Sequence, residues 1–297
     1  MKRYSPTRAL CTPLVFAALA ACAAPPPAEF GTVARSGAKF SESVPPLLNT
    51  ALNDAISSNS TTLIMQHAEA SEDARKTALL EANSAYRKRA RIFADVGSHA
   101  LLLRSYFVAM EALASTSSDS AIGSEASNLV NAMGTLAPAI GSFEIGGRPV
   151  SSIAGSVTPL IVAEFQSAAL EEELRKNGDA VVRAIELQRA FLQAVASDLG
   201  SQLQAQQQEE EFESVVEPYV SSGPLPSDWA ALRAAALEQS PSLGPLTAAV
   251  SAAESLKISF IAAAGGGASE TLFAQLQSDV GRLAALVQAV TESPATS

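Results

Sequence analysis

Apolar residues recur along most of this chain at alternating steps of three and four, the spacing that places them on one face of a helix. The longest series consists of Leu79, Ala82, Tyr86, Arg89, Phe93, Val96, Ala100, Leu103, Phe107, Met110 and Ala114. Because it lasts about five heptads, it predicts a long helix packed at a shallow angle on its neighbours. We expect this helix to begin near Thr61 and to end within residues 115–118. Arg89, its one charged member, is expected to pair or to extend its charge to the surface.

A second long helix is predicted from Ser151 to Tyr219. Its clearest apolar face contains Leu174, Gly178, Val181, Ile185, Gln188, Leu192, Val195 and Leu199. Residues 202–213 are nearly all polar, so that end should lie on a surface. Between the two long helices, a shorter one is predicted from Ile122, Ala126, Leu129, Met133, Leu136 and Ile140.

The remaining helices are predicted at the two ends of the chain. One follows residue 40, with Pro45 and Pro46 in its first turn, and ends or kinks at residues 57–60. The prolines and glycine of residues 218–226 mark a boundary. Beyond it, three shorter helices carry Trp229, Leu232 and Ala236; Leu246, Val250, Ala253, Leu256 and Phe260; and Leu272, Leu276, Val280, Leu283, Val287 and Val290.

No stretch alternates with a period of two, so almost no sheet is expected. The predicted fold is all-α: an elongated antiparallel helical bundle over residues 40–220, with two long coiled-coil-like helices. A smaller C-terminal helical part, residues 224–297, is expected to pack on that bundle.

The first residues have the layout of a secretory signal. Lys2, Arg3 and Arg8 precede an apolar run over residues 9–21 that is shorter than the ~20 residues a membrane-spanning helix needs. The run ends in Leu19-Ala20-Ala21-Cys22, which resembles the lipobox of bacterial lipoproteins.

That resemblance implies that residues 1–21 are a lipoprotein signal peptide and that Cys22 becomes the lipidated N-terminus, carrying fatty acyl chains such as palmitate. Ala23, where an Asp would imply retention in the inner membrane, implies the periplasmic face of the outer membrane of a Gram-negative bacterium. Residues 22–39 contain prolines and glycines without periodicity, which predicts a flexible tether.

Charge and cysteine content narrow the possible partners. The whole chain has 20 basic and 30 acidic residues, and removing the signal with its three basic residues leaves 17 against 30, a formal charge of −13. Such a surface repels nucleic acid phosphates and anionic headgroups. Arg87, Lys88, Arg89 and Arg91 are a local exception, interpreted as a solvated, ion-paired surface spread around a helix.

With Cys11 removed and Cys22 lipidated, the mature chain has no thiol for a disulfide, a zinc site or a nucleophile.

Motifs for catalysis or metal binding are missing or isolated. His67 and His99, the two histidines, would lie ~48 Å apart if they shared one helix. No Gly-x-Ser-x-Gly elbow is present, and the Ser-x-x-Lys of residues 36–39 lacks its Lys-Thr-Gly partner. Residues 265–267, three glycines without a following Lys-Ser or Lys-Thr, are interpreted as a helix end.

Two runs of three glutamates, residues 171–173 and 209–211, should fan around their helices as solvated faces. We therefore predict no catalytic, metal or cofactor residue. Cys22, as the lipidation site, is the one site residue.

Residues 126–163 contain two charged residues, Glu144 and Arg148. This segment allows two interpretations. In the first, they form a buried helical pair joined by an exposed turn containing Gly141, Gly146 and Gly147. In the second, they insert into a membrane as a hairpin. Arms of ~24 Å and ~20 Å would be short of a hydrocarbon core of ~30 Å, and Pro138 and Pro159 interrupt them, which favours the first.

The sequence thus predicts a lipid-anchored periplasmic protein that acts by protein–protein interaction or scaffolding with an unknown envelope partner. A membrane-perturbing protein that uses residues 126–163 is the alternative, and an enzyme ranks last. The sequence leaves the oligomeric state open.

Overall fold

The computed structural model describes residues 27–67, 71–116, 122–141, 144–145, 148–149, 160–162, 165, 167–238, 243–267 and 269–292. The fold is all-α, as predicted. Its helices are α1 (Pro27–Met65), α2 (Glu72–Thr116), α3 (Ile122–Gly141), α4 (Ala168–Glu211), α5 (Glu217–Val220), α6 (Trp229–Glu238), α7 (Gly244–Ala264) and α8 (Glu270–Glu292). A π-helical turn, Phe212–Val216, joins α4 to α5. Two-residue strands β1 (Glu144–Ile145) and β2 (Arg148–Pro149) pair antiparallel where a connection was predicted.

Helices α1 and α2 pack along each other in opposite directions. The hydroxyl of Tyr86 donates a hydrogen bond to the carbonyl of Ala55 at 2.9 Å, and near the other end Arg35 pairs with Glu111 at 2.8 Å. The predicted face of α2 is buried from Phe93 to Met110. Its predicted end is confirmed, but α2 begins at Glu72 and not near Thr61.

The tether predicted for residues 22–39 is wrong from Pro27 onward, because α1 begins there. Phe30, Val33 and Ala34 are buried, and the ring of Phe30 lies 5.4 Å from that of Phe260. Residues 22–26, with Cys22 and the rest of the lipobox, lie outside the described residues. A helical seam of steps three and four does run through this segment, but Gly37 and Ser41 occupy two of its positions and hide it.

Helix α1 also continues through the predicted end at residues 57–60. The hydroxyls of Ser60, Thr61 and Thr62 each donate to the carbonyl four residues earlier, so the polar run satisfies itself within the helix. Pro45 and Pro46 lie inside α1 and not in a first turn.

Helix α4 begins at Ala168, not at Ser151. Ser167 caps it, its hydroxyl accepting a hydrogen bond from the amide of Leu170 at 3.3 Å. The apolar face predicted for this helix is confirmed, since all of its members from Leu174 to Leu199 are buried. Residues 202–213 are largely exposed or half-buried, as predicted.

The helical pair predicted within residues 126–163 does not form in the described part of that segment. Residues 160–162 are not helical, and Ile161 is 81% exposed. Phe165 packs against Phe30 of α1 with ring centroids 6.2 Å apart. Helix α3 packs on α2 and α4 instead, and of the predicted turn, Gly141 ends α3 while Gly146 and Gly147 lie outside the described residues.

The three C-terminal helices are confirmed. Helix α7 packs on α1, α4 and α8, and α8 packs on α1. Within the described residues, α7 is the one helix long and apolar enough to cross a membrane, and half of its most apolar stretch is buried inside the protein. Gly266 has φ 70°, and the amide of Gly267 reaches the carbonyl of Ala262, so the glycines end a helix as predicted.

Candidate interaction surface

An exposed apolar surface lies where α4 ends. We call residues 209–238 the acidic arm; it contains the end of α4, the π-helical turn, α5 and α6. Its large apolar side chains expose 37–72% of their surface: Phe212, Val216, Tyr219, Val220, Leu225, Leu232 and Leu237. Packed helices normally bury such residues, and exposed apolar groups gathered in one region mark an interaction site.

The chain turns back after Val220, where α5 ends and the non-helical residues 221–226 follow. Pro218 lies inside α5, directly after the π-helical turn. A proline has no amide proton and collides with the carbonyl four residues earlier, and a π turn accommodates both effects. Past the bend, the Trp229 ring stacks on Tyr219 at 5.4 Å, and its indole nitrogen donates to the carbonyl of Val215 at 2.9 Å. These contacts hold α6 against the turn. The predicted break at Pro218 therefore comes after Val220.

The arm is strongly acidic. It carries Glu209, Glu210, Glu211, Glu213, Glu217, Asp228 and Glu238 against one basic residue, Arg233. Among the described residues, none of these carboxylates forms an ion pair. The arm therefore combines exposed apolar side chains with a net negative charge.

Ahead of the arm, an ion pair fixes α4 to α2. Arg89 binds Asp198 of α4 at 2.8 Å, with side chains 17% and 11% exposed, and the guanidinium lies 5.4 Å from the centre of the Tyr86 ring. The pairing expected of Arg89 is thus confirmed. Beside it, Asn59 and Tyr86 face Gln206 and Glu209 across a groove.

His99 is buried between α2 and α4. Gln188 donates from its amide nitrogen to the carbonyl of Val96 at 3.3 Å and lies 3.0 Å from His99 Nδ1. A backbone carbonyl can only accept a hydrogen bond, so the NH₂ group of Gln188 faces both Val96 and His99. Nδ1 of His99 therefore accepts from this NH₂ group, and the neutral imidazole carries its proton on Nε2. That Nε2 has no partner among the described residues. Burial lowers the pKa of His99 to about 4.

Glu173 departs from the predicted solvated face. It is buried, accepts a hydrogen bond from Asn177 at 2.9 Å, and has a pKa raised by burial. The fully buried Tyr106 hydroxyl lies beside it without a hydrogen bond of good geometry. Burial raises the pKa of Tyr106, and the Glu173 charge adds to the effect.

A third buried polar group joins α4 to α7. Arg189 binds Glu186 at 2.6 Å, and Lys257 reaches Glu186 at 3.0 Å and Glu254 at 2.8 Å. Burial raises the pKa of Glu186, but the hydrogen bonds and charges of Arg189 and Lys257 outweigh it, so that pKa lies below its ordinary value. This network is saturated with internal partners and therefore holds helices together.

The residues weighed for catalysis are not brought together. Ser36 is buried in α1 while Lys39 is exposed. His67 lies on the surface in the turn after α1, whereas His99 lies in α2. Across the described ranges, no group of three or more His, Cys, Asp or Glu side chains has the geometry of a metal site. The exposure of the apolar side chains of the arm was not predicted from the sequence, because the polar run of residues 202–213 beside them was the stronger pattern.

Comparison with known proteins leaves the surface to be interpreted on its own geometry. No protein-family model, no curated protein and no solved structure matches this chain.

Proposed function

We propose that this protein is a lipid-anchored periplasmic scaffold of the cell envelope, which binds another protein through the acidic arm. The observation that carries the proposal is the group of seven large apolar side chains that the arm exposes. Protein interfaces combine an apolar centre with a polar rim, and aromatic residues such as Phe212 and Tyr219 are typical of them.

The dimensions support a scaffold. Helices α1, α2 and α4 contain 39, 45 and 44 residues, which correspond to roughly 58, 68 and 66 Å. We infer an elongated bundle with coiled-coil-like packing. The arm lies beside the C-terminal end of α1, because Glu209 lines a groove with Asn59. A lipid on Cys22 would precede the other end of α1, so the arm would stand well away from the membrane.

A binding function is better supported than the alternative in which residues 126–163 insert into a membrane. Leu129, Leu136 and Ile140 of α3 are almost completely buried and α3 packs on α2 and α4. Insertion would have to remove them from this core.

Labelling with a radioactive fatty acid tests the anchor. Cells that produce the wild-type protein should show label in the protein, whereas Cys22→Ser should show none, because the serine offers no thiol for the lipid. Equal labelling of both proteins would contradict the anchor.

Site-specific photo-crosslinking tests the arm. A photoreactive phenylalanine analogue replaces Val220, 72% exposed, or in the matched control Leu101 of α2, 49% exposed. Discrete adducts in intact cells are expected from position 220 and not from position 101. No adduct, or the same adducts from both positions, would rule out the arm as the binding surface.

A further inference from the structure

A second exposed surface on this chain matches the acidic arm. Lys76, Leu80, Arg87 and Arg91 of α2 follow one another at steps of four, seven and four, which places them on one helix face. We call these four residues the basic stripe. All are exposed, with Leu80 59% exposed, and Leu79 beside them is 50% exposed.

The structure separates the basic residues that the sequence grouped together. Arg89 turns inward and pairs with Asp198, whereas Arg87, Lys88 and Arg91 point to the surface. Over the described ranges, these three cations have no acidic partner. The ion-paired interpretation therefore holds for Arg89 alone.

The basic stripe and the acidic arm lie at the same end of the molecule. The Arg89–Asp198 pair connects the helix that carries the stripe with the helix that leads into the arm. Tyr86, between Leu80 and Arg87 in sequence, lines the same groove as Glu209. Both surfaces thus flank one junction but do not cover each other.

This arrangement has the requirements of a twofold dimer. In an isologous interface, each surface of one copy meets the other surface of its partner, and the contact occurs twice. Here an apolar, acidic surface and a leucine-containing, basic surface lie at the same end of every chain. A second copy rotated by half a turn can place each stripe on the opposite arm.

We propose that the arm binds the basic stripe of a second copy of this protein, forming a symmetric dimer. This inference rests on the proposed function, since it names the partner of the same surface. The dimer brings the acidic arm of one copy to the three stripe cations of the other, Lys76, Arg87 and Arg91, which form no ion pair among the described residues. A generic anionic partner would be repelled by the arm.

The available area is sufficient. An aromatic side chain has roughly 150–250 Å² of surface. With this range taken as an upper value for Leu and Val, the arm's seven exposed residues present at most on the order of 700 Å². A stable interface buries about 800 Å² on each partner, and the basic stripe adds to the total. Two lipid-anchored copies would also share one orientation at the membrane, which raises their effective concentration.

Sedimentation equilibrium of the chain without residues 1–22, which retains every described residue, measures the association. The wild-type chain is expected to dimerise reversibly. Glu213→Lys with Glu217→Lys reverses two of the arm's seven acidic charges, and Arg87→Glu with Arg91→Glu reverses two of the stripe's three basic charges. Either double variant should raise the dimer Kd about tenfold or more, because the substituted side chains then face charges of the same sign.

Mixing the two double variants is the decisive step. In the mixed dimer, the reversed arm meets the reversed stripe and the unchanged arm meets the unchanged stripe, so the 1:1 heterodimer should regain near wild-type affinity. Glu270→Lys with Glu292→Lys on α8 alters charge equally but lies outside both surfaces, and its Kd should match the wild type. The neutral pair Glu213→Gln with Glu217→Gln adds no repulsion and should weaken the dimer less than the lysine pair.

Three results would overturn the dimer. The wild-type chain could be a monomer at every concentration, or it could form a dimer whose Kd is the same in both double variants. The third is that the two double variants fold but do not form the heterodimer. A monomer whose position 220 still crosslinks to a different protein would remove the dimer and leave the proposed function standing. Absence of any adduct at position 220 would remove the proposed function itself.

Discussion

The two histidines of this chain occupy opposite environments, and the protonation of the buried one, His99, is a probe of burial. His67 is exposed after α1, and His99 is 2% exposed against Gln188. Burial lowers the pKa of His99 to about 4 from an ordinary value of 6.5. Between these values the unfolded chain binds more protons than the folded chain, so stability is lost as pH falls through this window.

We predict that the free energy of unfolding loses about 3 kcal/mol between pH 6.5 and 4 through His99 alone. Urea unfolding at several pH values measures it. His99→Gln should remove this part of the pH dependence, and His67→Gln should retain it. Parallel pH profiles for His99→Gln and the wild type would contradict the buried, neutral imidazole.

Arg89 is the second residue whose environment sets its energetic role. Both side chains of the Arg89–Asp198 pair are largely buried, whereas Arg35 in its pair with Glu111 is 70% exposed. Removing one member of a buried pair leaves the other charge without compensation, while an exposed pair is screened by water.

Arg89→Ala is therefore expected to lower the free energy of unfolding by about 3 kcal/mol, and Arg35→Ala by less than about 1 kcal/mol. Chemical denaturation measures both. The double variant Arg89→Leu with Asp198→Leu should recover much of the loss, because it leaves no buried charge. Equal effects of Arg89→Ala and Arg35→Ala would show that the pair at Arg89 is not buried.

At the scale of the element, the beginning of α1 separates prediction from observation. The glycines and prolines of residues 25–37 are typical of a flexible segment, yet α1 begins at Pro27 and buries Phe30. Pro27 suits the first helical position, because the missing amide proton is not needed there. Gly37 is required by packing, since a Cβ at this position would lie 2.6 Å from the ring of Phe107.

Gly37→Ala should therefore destabilise the protein by about 1–3 kcal/mol, the cost of overfilling a packed core. Gly281→Ala in α8 is the matched control, because its added Cβ would meet open space. It should stabilise the protein by about 0.5–1 kcal/mol through its helix propensity. Thermal melting compares them, and a neutral Gly37→Ala would mean that α1 does not pack there.

At the scale of the whole molecule, helices α7 and α8 near the C-terminus pack against α1 near the N-terminus. Phe260 of α7 contacts Phe30 at 5.4 Å and Phe107 at 6.2 Å, so the C-terminal helices contribute to the same core as α1 and α2. The turn-forming residues 221–226 predict a subdomain boundary, but α7 packs against α1 and α4 beyond it.

We predict that a chain ending at residue 226 does not fold cooperatively, because it leaves the faces of α1 and α4 that α7 covers in contact with water. Circular dichroism during heating measures cooperativity, with the chain of residues 23–297 as the reference. A sharp melt of the shortened chain within a few degrees of the reference would instead establish an independent domain.

The periodicity of this sequence determined the helices but not their partners. The faces of α4, α7 and α8 were readable because helical geometry repeats every 3.6 residues, a local property of the backbone. Which apolar faces meet depends on how their shapes fit together, and apolar faces look alike in sequence. Helical periodicity therefore does not predict that Phe165 packs on Phe30.

Burial of charge was decided by the tertiary structure alone. Glu171, Glu172 and Glu173 are equivalent in sequence, yet Glu173 is buried beside Tyr106 while Glu172 is exposed. The arm is the converse case, because no helix in the described part of the chain covers its apolar side chains. The sequence alone determined the helical class and the acidic charge, because these follow from local pattern and composition, whereas burial depends on residues distant in the chain.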